Sequence, residues 1–279
     1  TNVLSVWNLG SNGGSTVIQK ADGTIWVAGW NNKGCLGIGA SAAAVSTPVA
    51  APNWLGGDLS MRIQYIGFAN SYRDSGGFGD VQSITMFLDN GTTSRLVAAG
   101  SNNWGNFGNG TYTDSNVPVA PSSASGLAGR ILKVRTVGSG PTTVFVIMNN
   151  YDMFTYGYGG QGCVGNNTTT SQPTPYKLFS GAAADMFNDQ QGWYYNPYYT
   201  PTPIVQKLDG TYWCWGYNAW GQCATGNGSN NLLVPVQVYL PKGSTIKHAF
   251  LVEGTNEGVA QFIITTDNAI YACGYNNYW

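Results

Sequence analysis

Three groups of residues in this chain have the chemistry to act on another molecule. The first is one histidine, His248, in the alternating stretch Ile246-Lys247-His248-Ala249-Phe250. An imidazole can be a general base or a metal ligand, but both roles need partners, and neither a nucleophile nor a carboxylate is tied to it by spacing. Carboxylates are few, and Asp185 and Asp189 stand in a segment without helix signals, so paired-acid hydrolysis has little to build on. The second group is the cysteines Cys35, Cys163, Cys214, Cys223 and Cys273, which contain no C-x-x-C pair and therefore disfavour a zinc cluster. Their odd number argues against a complete set of intrachain bridges and leaves one from Cys214 to Cys223 open. These residues predict a non-enzymatic protein with no catalytic residue, cofactor or bound metal.

The third group is aromatic. From Phe187 to Pro203 the chain reads as a long connection carrying Asn188, Asp189, Trp193, Tyr194, Tyr195, Asn196, Tyr198 and Tyr199. Flat rings stack on a ligand with little loss of side-chain entropy, and amides fix its orientation. The same rings suit the C–H faces of sugars, with Asn and Asp taking the hydroxyls. A shorter connection, Phe68 to Asp80, holds Tyr72 and Arg73 beside Asn70 and Asp74. All ten of these positions, from Tyr72 and Arg73 to Tyr199, are candidate ligand-binding residues. The bland alternative is a loop that folds over a sheet edge or packs on a neighbouring chain.

The elements that must position these loops are visible in a repeat. A first glycine recurs as Gly29, Gly100, Gly157, Gly216 and Gly274, every 57 to 71 residues, and a second follows five later at Gly34, Gly105, Gly162 and Gly221. A turn such as Asp22-Gly23 or Asp209-Gly210, then a short apolar run, precedes each first glycine. A proline follows at Pro48, Pro118, Pro175 and Pro235. A unit of this length with several short strands and no helical period fits one propeller blade, which must stack on neighbours to bury both faces. The expected fold is an all-β propeller of about five four-stranded blades in one domain over 1–279, with units near 1–58, 59–128, 129–181, 182–242 and 243–279. The last unit lacks its final strand and proline here, so a fragment of a longer propeller is expected. The repeat-phase aromatics Trp26, Tyr212 and Trp215 are assigned to packing between blades. The variable connections occupy one place in the repeat and are expected on one face, where insertions usually bind.

The pattern Asp-Gly-Thr-x-Trp-x-x-Gly-x-Asn-x-x-Gly, followed by Pro-Val, resembles the repeat of the regulator of chromosome condensation family. The resemblance covers nearly the whole chain and implies four-stranded propeller blades. It also implies a range of roles, from nucleotide exchange factor to enzyme inhibitor.

Composition bears on which role to expect. Charged residues make up 9% of the 279, against about 25% in an average soluble protein, and the net charge is -1. Without clustered positive charge, nucleic-acid partners are disfavoured, and no apolar run is long enough for membrane insertion. Solubility rests instead on polar uncharged residues and 39 glycines, beside 17 tyrosines and 10 tryptophans, a palette common in extracellular fibres and adhesins. The main expectation is therefore a receptor-binding module of a bacteriophage tail fibre or comparable adhesin, extracellular or on a virion surface. It would bind a host cell-surface receptor or polysaccharide and meet other virion or surface proteins through its parent chain, with homo-oligomerisation open by analogy. The alternative is a protein-protein interaction propeller acting as exchange factor or enzyme inhibitor.

Overall fold

The computed structural model describes residues 2–10, 14–70, 81–138, 140–187, 202–226, 228, 230–253 and 259–276. Strands β1 (Val3–Leu9), β2 (Ser15–Lys20), β3 (Ile25–Trp30) and β4 (Ala44–Ala50) form the first antiparallel sheet in chain order. β5 (Arg62–Asn70), β6 (Val81–Asp89), β7 (Ser94–Gly100) and β8 (Ser115–Val119) form the second. The third holds β9 (Ile131–Val137), β10 (Thr143–Met148), β11 (Met153–Gly157) and β12 (Gln172–Phe179), and the fourth β13 (Ala183–Phe187), β14 (Ile204–Lys207), β15 (Tyr212–Gly216) and β16 (Leu232–Gln237). The fifth has three strands among the described residues, β17 (Ile246–Glu253), β18 (Val259–Thr265) and β19 (Ile270–Gly274). Each sheet is a simple meander, as expected of a propeller blade. The recurring prolines fall on β4, β8, β12 and β16, the outermost strands, where a missing N–H costs no ladder bond.

Four apolar clusters lie between successive blades. Val17, Ile25 and Val27 meet Ile84, Met86 and Leu88, and Phe87 and Leu96 meet Val144, Val146 and Phe154. Phe145, Ile147 and Met153 then meet Met186, Val205 and Trp215, and Ile204, Tyr212 and Cys214 meet Ile246 and Ile263. Alternate residues of one strand thus serve opposite neighbours, which is why β10 is buried along its whole length and apolar from Val144 to Met148. In β2 and β18, which belong to the first and fifth blades, buried and half-buried positions alternate. Those two blades expose Leu4 and Val6 on β1, and Phe250, Val252 and Ile270 on β17 and β19. Among the described residues, no cluster joins the fifth blade to the first.

Trp215 is buried between the third and fourth blades, and Tyr212 between the fourth and fifth, as their repeat phase suggested. Trp26 is only half-buried, because the blade face it occupies has no neighbour.

Candidate functional site

The two-glycine phrase is a structural loop. The first glycine of each copy has positive φ, and a Cβ on Gly100 would lie 2.1 Å from the Gln82 carbonyl oxygen. Two residues on, the buried Asn31, Asn102 and Asn218 each accept a bond from the backbone N–H five residues ahead, at Leu36 (3.0 Å), Phe107 (2.9 Å) and Cys223 (2.9 Å). The amides of Asn31 and Asn102 also donate to the Ala40 and Thr111 carbonyls. The second glycine lets the loop touch the next blade. A Cβ on Gly105 would stand 2.6 Å from Pro173 Cα, and one on Gly34 would stand 2.6 Å from Asn116 Cα. In the third copy Gly159 replaces the asparagine because the chain returns against it, with the Thr170 oxygen 1.9 Å from where a Cβ would sit.

The other end of each blade carries the turn between its second and third strands, which is Asp-Gly in the first and fourth blades. Asp22 accepts from the Thr24 N–H (3.0 Å) and hydroxyl (2.6 Å), and the Trp26 indole donates to that hydroxyl at 3.1 Å. Asp209, Thr211 and Trp213 repeat the arrangement, with indole to hydroxyl at 2.8 Å. Lys20 lies over Trp26 and Lys207 over Trp213, at 3.6 and 3.7 Å from the ring centres. The threonine hydrogen bonds, followed by the nearby lysine charge, hold the Asp22 and Asp209 carboxyls below the usual carboxylate range.

The expected binding residues Tyr72, Arg73, Asn188, Asp189, Trp193, Tyr194, Tyr195, Asn196, Tyr198 and Tyr199 lie outside the described residues. The strand ends that carry those connections are described. Leu9 pairs with Ser15, Asn70 with Val81, Val137 with Thr143, Phe187 with Ile204, and Glu253 with Val259. Each pair joins the first and second strands at the end of the blade opposite the Asp-Gly turns. β5 runs through Asn70, three residues into the connection read from the sequence, whereas β6 begins at Val81, directly after the Asp80 at which that connection was expected to end.

The catalytic candidates separate from one another. His248 sits on β17 on the side away from the fourth blade, whereas Asp185 on β13 pairs with Lys133 of the third blade. Cys214 and Cys223 form a disulfide within the fourth blade, their Cα atoms 5.5 Å apart, once Asn218 has folded the loop back. Cys35 and Cys163 are buried, and the Cys163 Sγ donates to the Gly160 carbonyl at 2.7 Å. Burial pushes the Cys35 thiol up to about 12 and the Cys273 thiol up to about 11.

A feature that sequence reasoning missed is a cleft of about 490 Å³ between the first strands of the second and third blades. Arg62, Arg130, Lys133 and Arg135 line it, together with Tyr65, Asp89 and Asn90. Arg130 grips both Asp89 oxygens, Nε to Oδ2 at 3.0 Å and Nη2 to Oδ1 at 2.9 Å. The Tyr65 hydroxyl accepts from the Thr136 N–H at 2.9 Å, and its ring lies under Arg135 at 5.3 Å. A signal existed in Arg130-Ile131-Leu132-Lys133-Val134-Arg135, but Arg62 is distant in sequence and joins it only when the blades stack.

A model of the regulator of chromosome condensation (RCC1) repeat matches residues 209–251, from the Asp209 turn into β17. The ultraviolet-B receptor UVR8 of Arabidopsis thaliana is 27% identical over 146 residues, which are 52% of this chain and 30% of the receptor. The solved structure of human WBSCR16 matches 99% of this chain and 63% of its own at TM-score 0.68 and 17% identity. Yeast RCC1 (Prp20), solved bound to Kap60, matches 99% of this chain and 56% of its own at TM-score 0.65 and 15% identity. A further structure of Prp20p from Saccharomyces cerevisiae, whose description includes binding to Gsp1p and histones, has TM-score 0.61 at 16% identity. The chain spans less than two thirds of each of these relatives. The fold is thus a β-propeller similar to that of RCC1, and the repeat of that family is matched over residues 209–251.

Proposed function

We propose that this propeller is a non-enzymatic protein-interaction module that holds a partner protein at the blade ends where the first-to-second-strand connections leave. The observation that carries this reading is that five such connections, of unequal length, are rooted at the same end of five stacked blades. Unequal connectors on a common rigid base are a usual way for a repeat scaffold to build a recognition surface. Trp193, Tyr194 and Tyr195 on the longest connector, with Tyr72 and Arg73 on the next, are the proposed contact residues. The likeness to yeast RCC1, solved in complex with Kap60, supports a protein partner over the tail-fibre or adhesin role that composition suggested. Composition reports how a surface stays hydrated, and many ligand classes are compatible with one such surface. An exchange-factor or inhibitor role is the finer version of this proposal.

The test is capture on the immobilised propeller, identification of the bound protein, and titration of that purified protein against wild type and the double variant Trp193→Ala/Tyr195→Ala. Loss of the two rings is expected to weaken binding about tenfold or more, as for aromatic anchors at interface centres. Binding to surface polysaccharide or whole bacterial cells with no protein partner would restore the adhesin reading and remove this one.

A further inference from the structure

Cations are scarce here, 12 in the full sequence, yet Arg62, Arg130, Lys133 and Arg135 share one cleft. It lies at the opposite end of the blades from the connectors: β5 begins at Arg62 and β6 ends at Asp89, while residues 71–80 join the far ends of those strands. Any ligand of the cleft is therefore independent of the partner proposed above.

The cleft already binds carboxylates of its own chain. Arg130 holds Asp89 with two parallel bonds and Lys133 holds Asp185, so the geometry for this chemistry is in place. Spare donors remain. Arg130 Nη1 has no partner among the described residues, and the Arg130 side chain is 39% exposed. Arg62 gives Nη1 to the Leu59 (2.9 Å) and Met61 (3.0 Å) carbonyls, which fixes the guanidinium while Nε and Nη2 stay without partners among the described residues. The rim is equally fixed, since the Asn90 amide donates to Asp58 at 3.1 Å and Ser60 at 3.0 Å. Donors held in place before binding lose little entropy when a ligand arrives.

The acids narrow the ligand class. Asp89 lines the cleft, Asp185 stands behind Lys133, and Asp58 lies behind Asn90. Closely spaced phosphates would meet these carboxylates as well as the cations, whereas single carboxylates on a polypeptide can be spaced to meet the guanidinium groups alone. The exposed Leu132 at the same cleft offers an apolar contact that a peptide can use and a phosphate backbone cannot.

We propose that this cleft binds an acidic polypeptide segment, with Arg62 and Arg130 as the carboxylate-binding groups and Leu132 as the apolar contact. The test is fluorescence anisotropy on the full chain with three labelled probes: hexaglutamate, hexaglutamine and an oligothymidylate of equal charge. Hexaglutamate is expected to bind, more weakly as salt rises, with Arg62→Gln lowering its affinity about tenfold and Arg62→Lys restoring only part, because a lysine lacks the planar fork. Trp193→Ala/Tyr195→Ala, on the opposite end, should leave hexaglutamate binding unchanged, so this site and the connector site succeed or fail separately. Melting curves confirm that Arg62→Gln is folded, and the negative charge introduced by Leu132→Glu gives a second loss that does not depend on the arginine. Absence of hexaglutamate binding, equal binding of hexaglutamine, tighter binding of the oligothymidylate, or a folded Arg62→Gln with wild-type affinity would each overturn the proposal.

Discussion

Asn102 carries two backbone groups that nothing else in its loop satisfies. Its side chain takes the Phe107 N–H and gives to the Thr111 carbonyl, both at 2.9 Å, from a fully buried position. Asn102→Ala would strand the buried Phe107 N–H, and a stranded buried polar group costs roughly 1–3 kcal/mol, whereas the carbonyl of the exposed Thr111 can turn to water. A loss of about 1–3 kcal/mol is expected in chemical denaturation, and a loss below about 0.5 kcal/mol would show that the asparagine merely fills space. This role was legible in part. The placing of Asn31, Asn102 and Asn218 two residues after a glycine is visible in the repeat pattern, but the acceptor-donor pairing requires the loop's path. Trp54 shows the opposite limit. In the third and fourth blades Tyr156 and Trp215 precede the first glycine and cover Gly108 and Gly165, whereas the second blade has Ala99 there. Trp54, from the link between blades, covers Gly37 instead and donates to the Leu36 carbonyl at 2.8 Å. Its position outside the repeat frame hid this substitution.

Between elements, the second and third blades are joined by the Arg130–Asp89 pair and by Tyr65 with Thr136. The Arg130 hydrogen bonds, aided by the Gly91 N–H and opposed by burial, hold the Asp89 carboxyl below the usual carboxylate range. A carboxyl lowered in the folded state stabilises fully above its unfolded value, about 3.9, and that contribution is lost as pH falls through the folded value. Thermal stability should therefore decline as pH drops below about 4. Asp89→Asn should cost about 1–2 kcal/mol at pH 7 and flatten that acid decline. Asp22, Asp58, Asp152, Asp209 and Asp267 shift in the same direction and preserve some acid sensitivity in the variant. An acid decline of unchanged depth in Asp89→Asn would show that the pair contributes little. The strands themselves were readable from turn residues and apolar runs, because those signals are local. The pairing of blades through Asp89 and Arg130 was not, since neither residue carries a positional signal for the other.

At the scale of the whole molecule, stability is a chain of nearest-neighbour junctions, each a cluster shared by two blades. Trp215 fills the junction between the third and fourth blades, with Phe145 and Phe179 at 6.1 Å between ring centres and its indole donating to the Cys163 carbonyl at 2.9 Å. Trp215→Ala should cost about 3–5 kcal/mol and split unfolding into two transitions, one for the blades on either side. Calorimetry showing a single unshifted transition would contradict junction-by-junction stability. Repeat spacing, turn chemistry and edge prolines by themselves determined the all-β meander and its propeller stacking, because each of those signals acts within a few residues. Only the tertiary structure decided which side chains meet across blades. The cleft of Arg62 and Arg130, the covering of Gly37 by Trp54 and the closure of Cys214 on Cys223 all depend on loop paths and blade faces brought together by burial. Contacts of that kind are fixed by the packing of distant segments, and a linear pattern does not encode them.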